Sequence, residues 1–162
     1  MKIRLPIFAL ICALAPLPGL RAQDAAPKPM HEKEDQTELG GKMEKIGGAF
    51  RRLRKVDPAT KLAQVADPAK NEDSLKQVAI IKENAQAALT LDPALTKSKP
   101  EADQAKFVAD YQTKMKSFIA DVEKLEVALK AGKNDEAVKL VDTLKTDMDD
   151  SHKDFRKQKK KM

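Results

Sequence analysis

From Gln36 onward, apolar residues recur at alternating steps of three and four, the spacing that lays a stripe along one face of a helix. Leu39, Met43, Ile46, Phe50 and Leu53 form the first stripe, and Asp57-Pro58 stops it. Residues 57–72 read as a loop around Asp57-Pro58 and Asp67-Pro68, with a helical turn between them. A second helix is predicted from about Glu72 to Leu89, with Leu75, Val78, Ile81, Ala85 and Ala88 as its stripe and Asp73 or Asn71 as its cap. The next loop, "LTLDPALTKSKPEAD", is broken at Pro93 and Pro100. Val108, Tyr111, Met115, Phe118, Val122, Leu125 and Leu129 then make an unbroken third stripe. Gly132 sits where a helix C-terminus favours glycine, and Asn134 stands as the cap of the next helix. The fourth stripe carries Ala137, Val141, Leu144, Met148 and Phe155, with His152 one turn beyond Met148. The short link at 132–134 makes helices three and four antiparallel neighbours. The pattern predicts an all-α fold, an antiparallel up-down-up-down four-helix bundle over residues 36–158.

Composition agrees with helices and narrows the function. The chain has no Trp and only 6 Gly among 162 residues. Four of those glycines, at 40, 41, 47 and 48, nevertheless fall in the first helix, where each costs about 1 kcal/mol against Ala. They are either tolerated by a well-packed bundle or present because a neighbouring helix or a flat ligand comes close. Residues 1–22 begin with Lys2 and Arg4, continue with a short apolar run from Leu5 to Leu17 and end at Ala22, the form of a secretory signal peptide. The expected location is therefore the periplasm, with no stable membrane insertion after cleavage. Residues 23–35 read as a flexible leader whose Met30-His31 pair is incidental, and residues 159–162 as a basic tail.

Cleavage removes Cys12, the only cysteine, so disulfides, thiolate metal sites and thioether attachment of a cofactor are excluded. It also removes Lys2, Arg4 and Arg21, which lowers the net charge from +6 to +3. Acids and bases alternate through the body, and only 5 Phe and 1 Tyr are present, so nucleic acid is not an expected partner. The mature chain is expected to be a monomer or weak dimer. No Ser-His-Asp set, catalytic metal motif or carboxylate pair is evident, and the chain does not read as an enzyme.

One pair of side chains changes this picture. In an up-down-up-down bundle the start of helix one and the end of helix four share an end. Met43 lies ~10 Å along helix one, and His152 a similar distance from the end of helix four. Both then face one core layer, flanked by Ile46, Tyr111, Met115 and Met148. A thioether with an imidazole suits hard cations poorly but is a common axial pair for haem iron in electron carriers.

"KMEKI" in helix one, "ALKAGKNDEA" at the third turn, and "LKT" followed by "HKDFR" in helix four resemble the cytochrome b562 family. The resemblance covers most of residues 36–158. It implies a four-helix bundle that carries electrons on one iron, in a haem b held non-covalently, with redox proteins as its partners. By that likeness Met43 and His152 correspond to the methionine and histidine ligands of the iron. Tyr111 falls where the family places an aromatic residue against the haem, Met115 flanks the same layer, and Arg156 and the lysine tail are the cations available to the haem propionates. The related cytochromes c′ attach haem through C-x-x-C-H, whereas the equivalent stretch here is "MDDSH". Two features depart from the family: the glycine pairs around Met43, and Met148 in place of an arginine. They leave open a competing reading, a cofactor-free bundle acting as a periplasmic binding or structural protein.

Overall fold

The computed structural model describes residues 37–156. The expected signal peptide, the expected leader with its Met30-His31 pair and the expected basic tail lie outside those residues. Four α-helices follow in order: α1 (Glu38–Leu53), α2 (Asn71–Ala88), α3 (Glu101–Lys130) and α4 (Asn134–Phe155). Among the described residues no helix is long and apolar enough to cross a membrane. Close backbone approach joins α1 to α2, α2 to α3 and α3 to α4, as an up-down-up-down bundle requires.

Each predicted stripe becomes a buried face. Leu53, Val78, Ile81, Val122, Leu125 and Leu144 are fully buried, and Ile46, Phe50, Leu129 and Val141 nearly so. Burial of each such side chain is worth about 1.5–3 kcal/mol, and this apolar contact, more than local propensity, holds the helices together. Lys82 adds a polar strap between α2 and α3, with Nζ 3.0 Å from Glu126 and 3.5 Å from Glu123. Those groups are partly exposed, so the strap contributes little beyond orientation.

The helix ends show where local reading succeeds and fails. Thr37 caps α1, its hydroxyl accepting from the Gly40 N–H at 3.0 Å. Gly132, with φ +68°, ends α3 in the left-handed conformation that glycine adopts without Cβ strain. Its N–H donates to the Leu129 carbonyl at 3.1 Å and the Lys133 N–H to the Ala128 carbonyl at 2.9 Å. These two bonds satisfy carbonyls that the helix itself leaves open.

The caps expected at α2 and α4 are different. A 3-10 turn over Pro68–Lys70 runs straight into α2, so neither Asp73 nor Asn71 caps it. The side chain of Asp67 accepts instead, from the Ala69 N–H at 3.0 Å. Asn134 likewise makes no cap bond. Its amide nitrogen donates to the Val65 carbonyl at 2.9 Å and to Asn71 Oδ1 at 2.7 Å. A short-range cap is given up because the buried Val65 carbonyl and the Asn71 amide need partners more. This clamp joins the loop before α2, the start of α2 and the start of α4, and it closes that end of the bundle.

Candidate functional site

The other end is open. α1 and α4, first and last in the chain, are not among the helix pairs that come close along their backbones. Between them lies a cleft of about 470 Å³. Met43, Ile46, Gly47 and Phe50 line it from α1, and Met148, His152 and Phe155 from α4. α3 contributes Tyr111 and Met115, both buried, with Phe118 beside them. Arg51, Arg54, Lys114, Lys145 and Arg156 also line it, against a single carboxylate, that of Glu44.

These positions follow from helix periodicity. Gly40, Met43, Gly47, Arg51 and Arg54 lie at steps of three and four along α1, and Lys145, Met148, His152 and Phe155 do the same along α4. Phe155 is held by aromatic contact, its ring centroid 5.5 Å from Tyr111 in an edge arrangement and 5.2 Å from Phe107. Tyr111 is fixed in turn by its buried hydroxyl, which donates to the Ala88 carbonyl at 3.0 Å. Burial pushes that phenol well above its usual range, so Tyr111 stays a neutral donor.

His152 is half-buried one turn before Phe155. Burial, and then the Arg156 guanidinium, hold its imidazole below the ordinary histidine value, while Asp149 pulls the other way and Lys145 adds to the lowering. The neutral imidazole is therefore the favoured form, the form that can donate a lone pair to a metal.

A sequence model of the family described as cytochrome b562 matches residues 38–156, nearly the whole of the described bundle. The chain belongs to the cytochrome b562 family. No curated protein and no solved structure matches it. The cytochrome b562 family is one of haem-binding electron carriers, and enzymes are not typical of it.

All five residues singled out in the sequence, Met43, Tyr111, Met115, His152 and Arg156, line this one cleft. The residues present fit the group that the cytochrome b562 family carries. A thioether and an imidazole come from opposite walls, the interior between them is apolar and aromatic, and cations stand where acidic substituents can meet them. Residues 37–156 contain no cysteine, so nothing in the bundle can form a thioether link to such a group.

Sequence reasoning missed four of the lining cations, Arg51, Arg54, Lys114 and Lys145. Their signal is available in the helical spacing from Met43, Tyr111 and Met148, but alternating acids and bases along a helix give no reason to single these four out from a solvated surface. The α1 glycines are also clarified. A Cβ at Gly41, Gly47 or Gly48 would meet nothing within 4 Å, so close approach of a neighbouring helix does not account for those three. Gly40 and Gly47 line the cleft one turn either side of Met43, which leaves the flat-ligand explanation standing for them.

Proposed function

We propose that this chain is an exported carrier of single electrons that holds one haem b non-covalently in the α1–α4 cleft, with Met43 and His152 as its axial ligands. The observation that supports this reading most is that Met43 and His152, at opposite ends of the bundle sequence, line one cleft from two different helices. When bound, the haem supplies a reversible one-electron couple.

The chain's own residues set how that couple behaves. The Met43 thioether is a soft donor that favours ferrous over ferric iron and so raises the potential. Burial keeps His152 neutral and ready to ligate. Phe155, anchored on Tyr111, restricts the travel of the last turn of α4 and hence of His152. Phe50, Met115 and Phe118 keep water from the interior, and Arg51, Arg54, Lys114, Lys145 and Arg156 offer partners to the two propionates. Met43 and His152 would both be taken up in holding the group, which favours a carrier over an enzyme. On this reading the partners are other redox proteins, the chain is a monomer or weak dimer, and nucleic acid is not a ligand. Residues 1–22 serve as the export signal.

The test is to mix the purified protein with haemin and record oxidised and reduced visible spectra, with Met43→Ala and His152→Ala alongside. A sharp low-spin reduced spectrum in the wild type, turned high-spin or lost in both variants, is the expected result. Absence of any stable spectrum in the wild type would refute the reading and leave the cofactor-free bundle.

A further inference from the structure

Met43, Met115 and Met148 are all the methionines among the described residues, and His152 is their only histidine; all four line the same cleft. Haem ligation uses one thioether. Met148 precedes His152 by four residues and projects from the same face of α4, so it cannot supply the opposite axial ligand. The haem reading therefore leaves a half-buried thioether beside the imidazole without a role.

Spacing of i and i+4 on one helix is the arrangement by which two side chains chelate a single metal ion. Met148 and His152 have it, and the long unbranched Met43 side chain lines the same cleft from α1, with three rotatable bonds to adjust. The donor type then selects the metal. Thioethers are soft ligands that favour monovalent copper, whereas magnesium and calcium require oxygens. Glu44 is the only carboxylate lining the cleft, and among the described residues no cluster of three or more His, Cys, Asp or Glu could hold a metal.

We propose that the haem-free protein binds Cu(I) in this cleft through Met43, Met148 and His152, with Met115 at the base of the site. Haem and Cu(I) are mutually exclusive, because both draw on Met43 and His152. The inference goes beyond the haem reading and does not depend on it.

The test uses the full chain without haem, in a Cys12→Ser, Met30→Leu, His31→Ala background that removes the soft donors of residues 1–36 apart from Met1. Under anaerobic conditions the protein competes with the chromophoric Cu(I) chelator bicinchoninate, and X-ray absorption identifies the donor atoms. The expected result is one Cu(I) withdrawn per chain, with sulfur and nitrogen scatterers. Met148→Leu, which nearly preserves volume, weakens Cu(I) binding by about tenfold or more, and urea unfolding of the haem-free variant checks that the bundle is kept. Met43→Leu weakens Cu(I) binding and removes the low-spin haem spectrum. No Cu(I) withdrawn from bicinchoninate, or an affinity untouched by Met148→Leu, overturns the proposal. Cu(I) uptake in a protein that takes up no haemin refutes the haem reading and supports this one.

Discussion

Gly47 offers the sharpest separation of stability from ligand binding, because Gly48 beside it serves as an internal control. Both lie inside α1, and a Cβ at either meets nothing within 4 Å. Replacing either by Ala or Leu should therefore stabilise the haem-free protein by about 1 kcal/mol, the helix-interior penalty of glycine. The two positions differ in one respect: Gly47 lines the cleft and Gly48 does not. A leucine side chain at 47 grows into space that a flat ligand beside Met43 must occupy. Overpacking of that kind costs about 1–3 kcal/mol, which converts to a loss of roughly fivefold to somewhat over a hundredfold in haemin affinity. Gly48→Leu should leave that affinity unchanged. Urea unfolding of the haem-free proteins measures the first effect, and haemin titration followed by the Soret band measures the second. If Gly47→Leu binds haemin as tightly as the wild type, the cleft face of α1 is not where the ligand lies and the argument fails.

Two further outcomes follow from the closed end and from the histidine. Asn134→Ala removes the amide that donates to the Val65 carbonyl and to Asn71 Oδ1 and should cost about 2 kcal/mol in urea unfolding. Adding Asn71→Ala should cost less than its effect alone, since the two amides form one network. For His152 the folded value lies below 6.5, the ordinary value of a free histidine. The unfolded chain then binds more protons between those two values, so stability is constant above 6.5, falls as pH drops below it, and levels off below the folded value. The wild type should lose stability relative to His152→Gln as pH falls below about 6.5, and urea midpoints that run parallel on either side of that pH would contradict the burial of the imidazole.

The helices and their order were legible because each stripe obeys one rule, burial of one face, over three turns or more. The Gly132 turn was legible for the same reason: a single residue type meets a single backbone demand. Asn71 and Asn134 were misread as caps because capping is judged from neighbours in sequence. The side chains instead pair with each other and with Val65 across the bundle. Met43 and His152 could be placed in one layer by counting turns from the shared end. The gap between α1 and α4 could not, since a stripe reports that a face is covered and not how closely its neighbour approaches.

The composition of the stripes, read along each helix, does locate the site. Toward the Asn71–Asn134 clamp the facing residues are aliphatic and dry: Leu53 on α1, Leu125 and Leu129 on α3, Ala137, Val141 and Leu144 on α4. Toward the other end the same stripes change to Met43 and Gly47, to Phe118, Met115 and Tyr111, and to Met148, His152 and Phe155. α2 takes no part in the cleft lining and keeps Val78, Ile81, Ala85 and Ala88 fully buried along its length. Branched aliphatic side chains interlock with few rotamers and fill space, so one end is packed to the density of an ordinary core. Thioethers, an imidazole, aromatics and glycine either adjust or leave room, so the other end holds a cleft. The clamp matters to this division. By tying α4 to α2 and to the loop that follows α1, it fixes the helices in register at the end where packing is complete. α1 and α4 can then stand apart at the far end without the bundle coming undone, and a soft donor on each wall stays aimed at the same space.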